Sequence, residues 1–290
     1  MKYVYYPGCS AESTARDHHM SILEVARALD IDVEELKGWT CCGSTPAHHT
    51  DKLLSLSLPA ANLLKAQESG LNMVVSCAAC FNRMKVANHE IRTNPDVKKQ
   101  IANTLGKEYG GDVEIRHFIE ILLEDIGIQR LKDAFTHSIN DLKVVSYYGC
   151  LLVRPHEITK FDDPENPTSM DRLVEAMGGE ALDWPHKVEC CGGGFALSRP
   201  DIVIELSDSI LGMAEAAGAQ CIAVACPMCQ VNLDLRQKDI NRKKNRNYNL
   251  PIVYITQLLG LCLGISQKRL GMKKCIVSPM PVIEMLSKAV

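Results

Sequence analysis

Aromatic residues make up only 5% of this chain, with 2 Trp and 5 Phe. Few flat faces are therefore left for stacking bases. A formal net charge of −3 supplies no basic field either, so the sequence does not read as a nucleic-acid binder. Phosphate-cradling glycine loops are missing: no G-x-G-x-x-G follows an apolar run and there is no P-loop. No flavin or nucleotide is expected in this chain. The C-x2-C-x2-C-x3-C run of ferredoxins is missing too. Long apolar stretches are scarce. The opening "MKYVYYPGC" breaks at Pro7-Gly8, too early for a secretory signal. Pro251 to Ile265 carries Thr256 and Gln257 and falls short of a bilayer span. The expectation is a cytoplasmic protein with no membrane span.

What the chain does have is 13 cysteines among 290 residues. The length suits two domains, and 46% hydrophobic with 23% charged residues is ordinary for a globular protein. An odd cysteine count with no sign of export points to metal binding or catalysis rather than disulfides. Their order is informative. From Cys9 there are 31 residues to the adjacent pair Cys41-Cys42, then 34 to Cys77, then C-x-x-C ending at Cys80. From Cys150 there are 39 to Cys190-Cys191, then 34 to Cys226, then C-x-x-C ending at Cys229. Ten cysteines thus form two sets of five, and Cys221, Cys262 and Cys275 have no counterparts.

The flanks repeat as well. "VYYPGC" at 4–9 matches "VSYYGC" at 145–150, "NMVVSCAAC" matches "CIAVACPMC", and "FIEILLEDIG" resembles "ITQLLGLCLG". A period of this length is a domain duplication rather than a solenoid. The expected domains are 1–138 and 139–290, joined near His137 to Asp141. The longer first gap of the second half is expected in the polar loop "KFDDPENPTS", 160–169. Short β-rich runs end at Gly-Cys or at a C-x-x-C, and helical patterns follow at 21–29, 52–69, 200–217 and 231–240. Strand–loop–helix alternation implies an α/β fold: two duplicated domains, each a small mostly parallel sheet with flanking helices, related by a pseudo-twofold. Cysteines at the C-terminal ends of such strands stand where these sheets place ligands.

A single C-x-x-C is shared by zinc sites, clusters and redox pairs. Five thiolates are one more than structural zinc or an ordinary cubane cluster takes, which favours a larger or irregular iron–sulfur assembly in each half. Structural zinc with a spare thiol, or metal-free thiol exchange, are the plainer readings of the same residues. Cys221, Cys262 and Cys275 sit in apolar stretches and read as small buried hydrophobes.

The doubled five-cysteine motif, with "YYPGC", "CPMCQVNLDLRQ" and "ITQLLGLCLG", resembles the CCG-domain family, and most of all the heterodisulfide reductase B subunits of methanogenic archaea. The resemblance covers nearly the whole chain. It implies two noncubane 4Fe-4S clusters, one on Cys9, Cys41, Cys42, Cys77 and Cys80 and the other on Cys150, Cys190, Cys191, Cys226 and Cys229. It implies reduction of the coenzyme M–coenzyme B mixed disulfide to two thiols, with the clusters themselves as the catalytic groups and no side-chain acid or base assigned. The implied partners are an iron–sulfur C subunit and a flavin-bearing A subunit, with a hydrogenase or formate dehydrogenase behind them. Relatives with the same domain suggest the alternative, an electron-transfer or anchoring subunit of a hydroxyacid or succinate/fumarate oxidoreductase.

The implied disulfide is anionic and needs cationic or N–H partners. By proximity in sequence, Arg154, His156 and Arg199 are the candidate anion partners. Gly43, Gly192 and Gly193 are candidates because bare backbone can approach a cluster and the substrate beside it. The basic run from Arg236 to Asn247 reads first as a solvated helix end or partner contact.

Overall fold

The computed structural model describes residues 1–288. Two four-stranded sheets carry the fold, and every pairing within them is parallel. In the first half β1 (Lys2–Tyr6), β2 (Asp32–Glu35), β3 (Met73–Val75) and β4 (Ile115–His117) lie in the order β2-β1-β3-β4. A short β5 (His137–Ser138) follows. The second half repeats the pattern with β6 (Lys143–Tyr147), β7 (Glu180–Ala181), β8 (Cys221–Val224) and β9 (Ile252–Tyr254) in the order β7-β6-β8-β9. The inner strands VYY, MVV, VVSY and CIAV are buried throughout. Helices cover both faces of such a sheet, so these strands read as unbroken apolar runs rather than alternating ones. The outer β2, "DVEE", keeps its acidic side chains exposed, which discourages further pairing at that edge.

Capping explains where the longer helices start and stop. Lys52–Ser69 begins where the Asp51 side chain accepts the Leu54 N–H at 2.7 Å and ends at Gly70 with φ 69°. Pro95–Leu105 has Asn94 as its cap, Pro95 in the first turn and Gly106 beyond its end. The extra residues of the second half fall between the helices His156–Thr159 and Ser169–Ala176, in a loop that Asp162 ties by accepting the Thr168 and Ser169 N–H groups.

The halves pack face to face with reciprocal contacts. The helix Arg16–Ala28 lies on Ile255–Cys262 of the second half, joined by a Ser21–Thr256 hydroxyl bond of 2.6 Å. Ser169–Ala176 of the second half lies correspondingly on Ile128–Ala134 of the first. The linking strand β5 pairs antiparallel with β10 (Ser287–Lys288), and backbone bonds to Met177 and Cys262 seat the linker against the second half.

One repeated detail differs in chemistry between the halves. Each half starts a helix after its fourth strand with a capping box. In the first the Glu120 carboxylate accepts the His117 N–H at 2.5 Å; in the second Gln257 accepts the Tyr254 N–H at 3.0 Å. Burial raises the Glu120 carboxyl from 4.5 to about 7, against the His117 N–H and the charges of Lys85 and Arg116. The folded state then keeps a proton that the unfolded chain releases. The contribution is intact below pH 4.5 and is lost as pH rises towards 7. Glu120→Gln, copying the second half, should flatten the pH dependence of stability across that window, by on the order of 2 kcal/mol. Denaturant midpoints on both sides of the window check it; parallel profiles for the two proteins would contradict it.

Candidate functional site

Three cysteines of each set stand at the C-terminal ends of inner strands, the adjacent pair follows the outer strand, and the local geometry repeats between the halves. Cys9 opens a short 3-10 turn after β1, and Cys150 a short helix after β6. Cys77 and Cys226 are the N-cap residues of the helices Ala78–Thr93 and Pro227–Leu235, with Cys80 and Cys229 in the first turns. The adjacent pairs lie on loops that are fastened to the strands by tyrosines. The Tyr6 hydroxyl donates to the Thr40 carbonyl at 2.8 Å, and the Tyr147 hydroxyl to the Glu189 carbonyl at 2.7 Å. In both halves the bonded carbonyl immediately precedes the cysteine pair. Gly43 and Gly192 follow with φ of 75° and 74°, a conformation open to glycine, and their N–H groups point back at the Cys41 and Cys190 sulfurs at 3.4 and 3.3 Å.

Each set has an open side and a buried side. Cys9, Cys41 and Cys190 are exposed and Cys150 is half-buried, while Cys42, Cys77, Cys80, Cys191, Cys226 and Cys229 are buried. Sulfurs neighbour one another: Cys41–Cys9 at 3.7 Å, Cys42–Cys80 at 3.3 Å and Cys191–Cys229 at 3.7 Å. Cys41 is held well below the usual thiol range by bonds from Cys42 and Cys9, and Cys190 is drawn down to about 6 by its bond from Cys150. Cys9 and Cys150 are pushed up in return, by those same bonds and by burial. At the junction of the halves Cys226 is pulled down by Cys229 and by Cys77 of the other set. Each set thus has thiols poised as thiolates, the form that ligates metal.

The second set walls a cavity of about 210 Å³ with all five of its cysteines, closed on the far side by His49, Ala78, Ala79 and Arg83 of the first half. Among the described residues no three Cys, His, Asp or Glu side chains converge as a single-ion site. Five thiols around one space suit a group with several metal atoms better than a four-ligand zinc site. Through Gly193, Gly194 and Met228 this cavity adjoins a groove of about 460 Å³ between the halves. Ser10 and Ser44, next to the first set, line one side; Met228 and Asn232, next to the second, line the other. Apolar side chains dominate the groove, and among the described residues no charged one lines it.

Gly192 and Gly193 line the cavity, and Gly43 keeps the place just described. Arg154 is paired with Glu165 at 2.9 Å, and Arg199 lies on the surface paired with Asp201 at 2.7 Å. His156 is exposed, and neither it nor these two arginines lines the cavity or the groove. Arg83 does, and proximity in sequence does not single it out. It sits three residues past Cys80, as Asn232 sits three past Cys229. A cation three residues past a C-x-x-C, where the other repeat has a neutral amide, is the signal that could have found it. Burial lowers the Arg83 guanidinium, opposed by the thiolates of Cys42 in one set and Cys150 in the other. Its Nε is buried without a hydrogen-bond partner, an arrangement that costs roughly 1–3 kcal/mol unless something fills it.

The three unmatched cysteines stand apart from both sets. Cys221 and Cys262 are fully buried in the apolar core, where burial raises their thiols to about 12. Cys275, half-buried and raised to about 12 by burial, lies near Asp234. Cys262→Ala and Cys275→Ala should leave metal content unchanged and cost about 1 kcal/mol of stability at most. Metal loss in either variant, measured against the parent chain, would show that the sets were divided wrongly.

The sequence comparisons fit this geometry. The cysteine-rich domain CCG matches residues 3–85 and again 144–234. The B subunit of the ferredoxin:CoB-CoM heterodisulfide reductase of Methanosarcina mazei is 34% identical over 266 residues, 90% of this chain and 87% of its own. The 8-methylmenaquinol:fumarate reductase membrane anchor subunit of Wolinella succinogenes is 29% identical over 279 residues, 95% of this chain and 97% of its own. A hypothetical protein from Helicobacter pylori superposes with a TM-score of 0.73 at 12% identity, over 96% of this chain. This chain spans about half of that structure, 52%, and the likeness concerns the fold alone. No helix among the described residues is long and apolar enough to cross a membrane.

Proposed function

The chain belongs to the CCG cysteine-rich domain family, and from that premise we propose that it is the disulfide-reducing iron–sulfur subunit of a heterodisulfide reductase. The substrate class is a mixed disulfide of the coenzyme M–coenzyme B type. What supports the reading most is one observation: the second five-thiol set walls a cavity that adjoins a groove between the halves, and Ser10 and Ser44, beside the first set, line that groove's other side. Cleaving a disulfide takes two electrons and two protons and yields two thiols. A noncubane 4Fe-4S cluster in each half would supply one electron apiece and a metal site for one sulfur.

The chain's own residues do the rest. Cys9, Cys41, Cys42, Cys77 and Cys80 would hold one cluster, and Cys150, Cys190, Cys191, Cys226 and Cys229 the other. The N–H groups of Gly43 and Gly192 donate to the sulfurs of Cys41 and Cys190 and hold their negative charge. Ser10, Ser44, Met228 and the 193–194 backbone shape a groove that is apolar enough to limit water around the reacting sulfurs. With no nucleotide or flavin motif in the chain, electrons enter from other subunits; an iron–sulfur C subunit and a flavin-bearing A subunit fill that role in this reading.

The Wolinella relative favours a second reading, an electron-transfer or anchoring subunit of a fumarate-type oxidoreductase. The complex purified without oxygen separates the two. Reduction of the coenzyme M–coenzyme B disulfide by reduced viologen supports the first reading. Reduction of fumarate with no turnover of the disulfide overturns it.

A further inference from the structure

Among the described residues Arg83 is the sole lysine or arginine lining either the thiol cavity or the groove. It belongs to the first half, on the helix Ala78–Thr93, yet it faces the cavity walled by the second half's cysteines. Among the described residues it has no carboxylate partner, unlike Arg154 and Arg199. Its buried Nε is unfilled. Asn232, its counterpart in the repeat, behaves differently. It donates to the Cys191 carbonyl at 3.0 Å and so is used inside its own half. The repeats thus differ in chemistry here, and the difference puts a planar five-donor cation beside the second thiol set and close enough to Cys42 of the first to feel its charge. Lys85, on the same helix, faces away: its ammonium lies over the Phe81 ring, 5.1 Å from the centroid.

We propose that Arg83 is the oxyanion-binding residue of the disulfide pocket, gripping a sulfonate or carboxylate on the substrate arm whose sulfur meets the second set. This rests on the disulfide-reductase reading. A guanidinium presents two parallel N–H groups to such an oxyanion and keeps its charge at any working pH. Among the described residues the adjoining groove carries no matching cation, so one arm of the disulfide is selected by charge and the other by its apolar length. That asymmetry fixes which sulfur goes to which half.

Equilibrium binding tests the assignment without turnover. The oxidised protein, with no reductant present, is titrated with 2,2′-dithiodiethanesulfonate and with 2-hydroxyethyl disulfide, its neutral analogue of equal arm length. The parent chain should bind the sulfonate form more tightly. Arg83→Gln should lose roughly 10- to 100-fold of affinity for it, with little change for the neutral form. Arg83→Lys, which keeps the charge but not the fork, should lose less. Iron content is measured on every variant. Equal affinity of the parent chain for the two probes overturns the proposal, which stays testable even where Arg83→Gln loses its iron. So does an iron-replete Arg83→Gln that keeps the sulfonate preference. The underlying reading fails separately, on a parent chain without iron or without disulfide reduction.

Discussion

Cys42→Ser and Cys191→Ser should each end disulfide reduction, with turnover falling by more than roughly a hundredfold. Disturbing groups around a metal's ligands alone costs about 10- to 100-fold, and these variants would remove a proposed ligand outright. Both residues are buried, and each adjoins the last cysteine of its own C-x-x-C, Cys80 at 3.3 Å and Cys229 at 3.7 Å. A serine hydroxyl at either place is a poor substitute for a soft thiolate. The equality of the two effects is the sharper expectation. A disulfide has two sulfur atoms and needs two electrons, so losing either half should stop the overall reaction. Turnover is assayed with an artificial reductant, so that the route from other subunits does not limit it. Full activity in one of the two variants would make that half a conductor or a scaffold.

Gly149→Ala should cost the chain about half of its iron, and Gly8→Ala should do the same to the other half. Each glycine directly precedes the first cysteine of its set, with φ of 68° and 79°. With ψ of 173° and 157° this is a region essentially confined to glycine, and a side chain there costs roughly 1–3 kcal/mol. The added carbon also meets a thiol of the set. At Gly149 it would lie 3.0 Å from the Cys229 sulfur, and at Gly8 3.3 Å from the Cys80 sulfur. Cys229 is the tighter case, so Gly149→Ala should be the more severe of the two. Gly218→Ala is the control: it has a similar φ of 81° with nothing near the added carbon, and it should keep all of its iron. Iron and acid-labile sulfide per chain are the measurement. Unchanged iron in Gly149→Ala, or equal loss in Gly218→Ala, would contradict the close approach of this backbone to the thiols.

Much of the fold and the site is legible in the sequence because the duplication writes the site twice. The equal 34-residue gaps between each cysteine pair and its C-x-x-C announce two like units, and the apolar runs ending at Gly-Cys place those thiols at strand ends. The helices expected at 52–69 and 200–217 stand at Lys52–Ser69 and Pro200–Ala216. The one expected at 231–240 is two helices, Pro227–Leu235 and Gln237–Lys244, meeting at Arg236. Its periodicity continues through the break, so pattern alone does not reveal it. Arg83 is hidden for a different reason. Chain proximity offers Arg83, three residues past Cys80, no more than it offers Arg154 and Arg199, and cannot tell which of them faces the thiols of the other half. Packing the halves together brings Arg83 to thiols remote in sequence, while ion pairs with Glu165 and Asp201 occupy the other two.

The proposed chemistry depends on both five-cysteine sets holding iron, so metal analysis of the anaerobically purified chain tests it most directly. With on the order of four irons per cluster, about eight irons per chain are expected, with a similar amount of acid-labile sulfide and little zinc. About two zincs with no iron would contradict it, and would turn both sets into structural sites.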